Sequence, residues 1–259
     1  INIYRGVLTG CNDAFIISTD KRNEILSHTA DYVEGQAEDA YSPAGEYART
    51  AALIRPILRG RDIKRYGYNW ANLWLINSHN GVKENGKVKI PRIDINDYPA
   101  VKAHLDTYWD KIKNRADQGD TPYNLRNCAY IDDFNQPKIM YSEIVREPQF
   151  YFDPKGQFYP EATTFIMTGK HLDYLYPLFH SKCVTFFFKT FYAGGGLGES
   201  GYRYKKAFFE KVPVPLFTGT ILQQQIVQAQ PTDCIEDKVL DLYGLPPKEK
   251  AYILSAKNG

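Results

Sequence analysis

The sequence predicts an α+β fold, with a mixed or antiparallel sheet, helices packed on it and a helical C-terminal tail. Three observations predict it. Strand-like and helix-like segments come in blocks without a βαβα rhythm, three β-rich stretches cluster between positions 137 and 169, and from Thr218 onward only helix-like segments remain. At 259 residues the chain can form one large domain or two ordinary ones.

The elements follow in order. NIYRGVLTGCNDAFIIS (Asn2 to Ser18) has β-branched and aromatic residues on both sides of Thr9-Gly10, which predicts strand, tight turn, strand. A polar stretch ends in SPAGEY, and short helical potential then runs to Arg55, where Pro56 and Gly60 break it. NLWLIN (Asn72 to Asn77) reads as a strand and HNGVKENGK as a polar loop. DYPAVKAHLDTYWDKIKNRAD predicts an amphipathic helix with Asp97 as cap, Pro99 in the first turn, and Val101, Leu105, Tyr108, Trp109 and Ile112 on one face. PKIMYSEIV, QFYFDP and TTFIMTG predict an antiparallel or mixed sheet, with a sharp turn at Asp153-Pro154-Lys155-Gly156. HLDYLYPLFHSK and CVTFFFKTFY read as buried helices, because they are apolar nearly all round. The prolines of KVPVP fit only an edge strand or an extended exit. Three short helices close the chain, with Gly244 as a C-cap and Pro246-Pro247 opening the last. The expected division is residues 1–217 as a recognition part, in two lobes with a helical connection near 97–118, and residues 218–259 as a helical tail.

Composition removes several functions. No apolar run is long enough to span a bilayer and no charged-then-apolar leader precedes the first strand, so no membrane partner is expected. The chain starts at Ile1, inside a strand-like stretch, and is expected to be a piece of a longer polypeptide. Cys11, Cys128, Cys183 and Cys234 are scattered, without a CxxC pair, and read as buried free thiols of a cytoplasmic protein. No HExxH or comparable histidine pair proposes a metal site. The net charge of +2 announces no global basic field, so any nucleic-acid signal must be local.

The glycines of GLGESG (Gly196, Gly198, Gly201) match a dinucleotide fingerprint literally, but its context is absent. Pro213 and Pro215 interrupt the helix that should follow, and the positions near Leu222 offer no carboxylate for a ribose. The loop instead leads to Tyr202, Arg203, Tyr204, Lys205 and Lys206, a basic-aromatic run suited to phosphates and base edges. Arg55, Arg59, Arg61, Lys64 and Arg65, with Tyr66 and Tyr68, form a second such run, with Asp62 as the obvious counter-charge. Thr9 and Asn12 fit either a DNA-contacting turn or a structural hairpin. Asp233, Glu236 and Lys238 are too compressed for a nuclease motif and read as a helix cap and solvated face; Glu143 and Glu147 have no evident partner, and no nucleophile elbow or Cys-His pair appears.

Six segments in order, GVLTGCNDAFII, LIRPILRGRDIKRY, PKIMYSEI, LDYLYPLFHSKCVTFFF, KVPVP and CIEDKVLDLYGLPPKE, resemble the TaqI-like C-terminal specificity domain of adenine-specific DNA methyltransferases and type IIG restriction-modification enzymes. The resemblance implies a reader of double-stranded DNA, joined in cis to an upstream methyltransferase that binds S-adenosylmethionine and, if a nuclease is fused, magnesium. This chain has no NPPY or cofactor-loop motif, so no catalytic residue and no cofactor is expected within it. The candidate DNA-binding residues are Thr9, Asn12, Arg59, Arg61, Lys64, Arg65, Tyr66, Tyr202, Arg203, Tyr204, Lys205 and Lys206. The other functions left open are a small-molecule or nucleotide-cofactor enzyme using the 194–201 loop, and a protein-interaction module.

Overall fold

The computed structural model describes residues 1–192 and 201–256, so Gly196 and Gly198 lie outside the described residues. The chain opens with β1 (Asn2–Arg5), the one-turn helix α1 (Asn12–Phe15) and β2 (Ile16–Ser18). These are not the predicted hairpin, because β1 and β2 join different sheets. At Gly6 the backbone presses so closely on Glu161 that an added Cβ would lie 2.1 Å from its carbonyl oxygen. The chain crosses over there and leaves the sheet of β1. The polar stretch contains the unforeseen α2 (Thr19–Ser27), whose N-cap Ser18 accepts from the Lys21 N–H.

Next come α3 (Glu46–Leu53) and β3 (Ile54–Leu58). The helix ends two residues before the expected Arg55, and IRPIL is a strand despite Pro56. After the short pair β4 (Ile63–Lys64) and β5 (Gly67–Tyr68), β6 (Leu73–Ile76) is the predicted strand. The supposed polar loop is a hairpin of β7 (Val82–Glu84) and β8 (Lys87–Ile90), turned by Asn85 and Gly86, both at positive φ.

The amphipathic segment splits into α4 (Pro99–Asp106) and α5 (Trp109–Ile112). Asp97 is not its cap, because it closes a preceding 3-10 turn in which the Asp94 side chain accepts from the Asn96 N–H. Both helices place apolar residues in the same core as α1 and α2.

The three β-rich stretches contain β9 (Lys138–Ser142), β10 (Ile144–Val145), β11 (Phe150–Asp153) and β13 (Thr164–Thr168), and the unforeseen β12 (Tyr159–Pro160) lies between the last two. Four strands form an antiparallel sheet in the order β1-β13-β9-β11, and a mixed sheet has the order β12-β3-β6-β2. The fold is therefore α+β, as predicted.

Alternation along the first sheet divides the interior. Tyr4, Met140, Tyr151 and Ile166 face one core, shared with the mixed sheet and the N-terminal helices. Ile3, Ile139, Tyr141, Phe150 and Met167 face the other. On the first side, Lys138 and Asp153 stand opposite each other, both completely buried, with Nζ 2.8 Å from a carboxylate oxygen.

The second core is covered by α6 (Leu172–His180) and α7 (Lys182–Phe191), then by α8 (Lys206–Phe209), which follows β14 (Tyr202–Arg203). It is completed by α9 (Ile221–Val227), α10 (Glu236–Leu242) and α11 (Pro247–Ser255). Helix α7 is not buried all round, since Phe191 is exposed. The KVPVP exit takes its extended form, and tyrosine hydroxyls hold it: Tyr243 donates to the Pro213 carbonyl at 2.8 Å and Tyr174 to that of Pro215 at 3.0 Å. Gly244 caps α10 as expected, and the Leu245 N–H reaches back to the Leu240 carbonyl. Glu236 is not a solvated residue: its carboxylate accepts the Lys182 N–H at the start of α7, and burial pushes its pKa up. Nor are all thiols buried, because Cys234 is exposed.

Candidate nucleic-acid interface

The first basic run turns the chain between β3 and β4. Asp62 is almost fully buried, and its carboxylate accepts from the Arg59 N–H, Nε and Nη2 at 2.9, 2.9 and 2.7 Å. This bond is the main reason the Arg59 guanidinium pKa is raised, and it commits Arg59 to the turn. The turn is pressed onto the end of β9: the Gly60 N–H donates to Thr163 Oγ1 at 2.9 Å, and a Cβ on Gly60 would lie 2.8 Å from Ser142 Oγ. Arg61 is exposed, with no hydrogen-bond or ion-pair partner for its guanidinium among the described residues. Lys64 Nζ donates to the Arg61 carbonyl at 2.7 Å. Arg65 donates to the His180 carbonyl at 3.1 Å and lies 5.0 Å from the Tyr66 ring. Tyr66 is half-buried, 3.9 Å from the His180 ring.

The second run reaches the same place. Strand β14 pairs with β10, Tyr202 opposite Val145 and Arg203 opposite Ile144, and the Tyr204 N–H donates to the Glu143 carbonyl at 2.8 Å. Two-residue alternation then sorts the side chains. Tyr202 and Tyr204 are 4% and 1% exposed, with hydroxyls 3.2 Å apart, while Arg203 is exposed and without a partner among the described residues. Burial raises the Tyr202 pKa to about 12 and pushes that of Tyr204 well above its ordinary value, and both hydroxyls feel the charge of Arg65. These two tyrosines belong to the second core, which removes them from the candidate DNA-facing set. Lys205 is exposed, and Lys206 stands 3.5 Å from Glu210 and 5.9 Å from the Tyr4 ring.

Both runs are thus anchored on residues 142–145, and together they present Arg61, Arg65, Arg203 and Lys205 to solvent. Sequence reasoning passed over Arg146, which is exposed directly after this anchor; its position beside a strand end was the available signal. Thr9 and Asn12 have another neighbour. Thr9 is 2% exposed, its hydroxyl donates to Asn12 Oδ1 at 2.6 Å, and its carbonyl accepts from Arg115 Nε at 2.8 Å. Buried Arg115 also donates to the carbonyls of Ile112, Pro122 and Asn124, so Thr9 is part of a buried structural turn.

Among the described residues no group of three or more His, Cys, Asp or Glu side chains could hold a metal ion, and no helix is long and apolar enough to cross a membrane. The exposed, planar and cationic side chains can instead fork onto phosphates or guanine edges.

No curated protein matches the chain. A solved structure described as the Type IIL restriction-modification enzyme MmeI in complex with DNA is similar in fold, with a TM-score of 0.61 and 12% identity over 98% of this chain and 34% of that one. The chain thus spans about a third of that protein's length. Residues 55–214 match the TaqI-like C-terminal specificity domain, a span that includes the anchor, the first basic run and the second. The chain belongs to the family of TaqI-like C-terminal specificity domains.

Proposed function

We propose that this chain is the target recognition domain of a restriction-modification enzyme and binds a short duplex DNA sequence. The observation that carries the proposal is the meeting of two distant basic runs on residues 142–145, with Arg61 and Arg203 exposed and unpaired among the described residues. Each arginine forked onto a guanine contributes about 1–3 kcal/mol of discrimination, and each phosphate contact adds affinity independent of sequence. The DNA-facing residues proposed are Arg61, Lys64, Arg65, Arg203, Lys205 and Lys206, with Asn12 and Tyr66 at the margins and Arg59 acting through the turn it holds. Residues 1–217 form the recognition part and residues 218–259 the helical tail. The methyl transfer of the parent enzyme belongs to an upstream part in cis, which binds S-adenosylmethionine, and magnesium where a nuclease is fused. This chain itself supplies binding and no catalytic group.

Titration of the chain with duplex DNA at increasing salt tests the proposal. Binding that weakens linearly in log salt is expected, and no binding to any duplex at low salt refutes it.

A further inference from the structure

Strands β10 and β14 form a two-stranded ribbon of their own, at the place where both basic runs meet. The pairing is close: a Cβ on Gly201 would lie 2.5 Å from the Val145 carbonyl oxygen, and the φ of +137° there favours glycine. The Ser142 hydroxyl donates to the Ile144 carbonyl at 3.1 Å, and the Tyr204 N–H to that of Glu143, so the ribbon backbone is held in place. Residues opposite each other in an antiparallel pair share a face. Val145 and Tyr202 therefore take the buried side, and Ile144 and Arg203 the outer one. Ile144 is 49% exposed and packs in neither core.

One exposed aliphatic side chain is ordinary; the surroundings of Ile144 are not. Arg203 stands directly across from it, Arg146 is exposed two residues on, and the turn that carries Arg61 is pressed onto Ser142, two residues before. None of these three guanidiniums has a hydrogen-bond or ion-pair partner among the described residues. An apolar side chain set among unpaired cations fits a surface that is anionic at large and apolar at one point. The major groove of duplex DNA is such a surface: phosphates border it, guanine presents O6 and N7 for an arginine, and thymine projects its C5-methyl. The groove also admits a two-stranded ribbon. Cross-strand Cβ atoms stand about 4.5–5.5 Å apart, which is comparable with the spacing of about 3.4 Å between successive base pairs, so ribbon partners address neighbouring pairs. We propose that Ile144 is a specificity-determining residue that packs on the C5-methyl of a thymine, in the base pair adjoining the one that Arg203 reads. This assignment rests on the DNA-reading function above and names the chemistry of part of its target.

The test starts from a duplex selected out of a randomised pool by the full wild-type chain. Each thymine in it is then replaced in turn by deoxyuridine, which differs only in lacking the methyl, and affinities are read by fluorescence anisotropy. At one position the replacement is expected to weaken wild-type binding about fourfold, the worth of one buried methyl, and to leave binding by Ile144→Ala unchanged. Ile144→Ala should bind the thymine duplex no better than the wild type binds the deoxyuridine one. It should melt with the wild type, because Ile144 packs in neither core; Ile144→Ser takes its place in the comparison if it fails to fold. A selected sequence without thymine overturns the proposal. So do replacements that never weaken the wild type, and losses that persist undiminished in the folded variant at every position. The two readings fail separately. A chain that binds no duplex, or selects no sequence, overturns the DNA-reading function and this assignment with it, whereas a selected sequence without a methyl contact that depends on Ile144 overturns the assignment alone.

Discussion

Replacing Arg61 or Arg203 by alanine should weaken DNA binding without unfolding the chain, and the structure sets the size of the effect. Both guanidiniums are exposed and unpaired among the described residues, so removal breaks no internal bond and should change stability by no more than about 0.5 kcal/mol. Each phosphate contact contributes about 0.9 to the slope of log affinity against log salt. Loss of one contact should therefore reduce the slope by about 0.9, which makes the variant's loss of affinity between about 50 and 200 mM salt roughly 3.5-fold smaller than that of the wild type. Fluorescence anisotropy with a labelled duplex across that range measures both slopes, and thermal melting checks the fold. Arg59→Ala is the contrast. It strips the buried Asp62 carboxylate of two side-chain donors, which costs about 1–3 kcal/mol. An unchanged salt slope in Arg61→Ala or Arg203→Ala, accompanied by a lowered melting temperature, would refute the reasoning and make the residue structural.

Three further outcomes concern stability. Lys138→Met leaves the Asp153 carboxylate buried with only the backbone N–H groups of Gln157 and Phe158, and should lower unfolding free energy in urea by about 3–5 kcal/mol. Arg115→Met leaves the Thr9 and Pro122 carbonyls without their donor, while those of Ile112 and Asn124 keep a backbone N–H, and should cost more than about 2 kcal/mol by the same measurement, with DNA affinity changed less than in Arg61→Ala. Burial, then the nearby charge of Arg65, lowers the His180 pKa to about 3, below its ordinary 6.5. Its contribution is therefore complete above pH 6.5 and declines as pH falls from 6.5 toward 3, because the unfolded chain takes up the proton first. The melting temperature should drop between pH 6.5 and 5, and less so in His180→Gln, whose amide can still donate to the Phe150 carbonyl. Equal pH dependence in wild type and variant would remove His180 as the cause.

The elements legible in sequence were those whose signals are local. Gly244 and the paired prolines marked the ends of α10 and α11, and the runs around Ile139, Phe150 and Ile166 marked strands of the first sheet. Tertiary context overrode the rest. Pro56 argued against a strand, yet it stands opposite Trp74 in the register of β3 with β6. The Thr9-Gly10 turn suggested a hairpin because nothing local reveals the crossing at Glu161. The Asn85-Gly86 pair is a local signal for the hairpin of β7 and β8, which the polarity of HNGVKENGK masks. At the candidate interface the basic runs were visible and their meeting was not, since it depends on Ser142 and Val145 bridging segments about 140 residues apart in sequence. The inward turn of Tyr202 and Tyr204 was foreshadowed by the alternation of YRYK, which composition alone obscures.

The antiparallel sheet with a core on each face has a consequence for how the molecule comes apart. A single four-stranded wall is load-sharing: loss of packing on either side loosens strands that the opposite side also needs. Unfolding should be one transition, with calorimetric and van't Hoff enthalpies in agreement. The packing on the wall's two faces is then not separable into independent modules. A graft that exchanges target specificity between such domains must carry the wall intact and vary only what is mounted at its end.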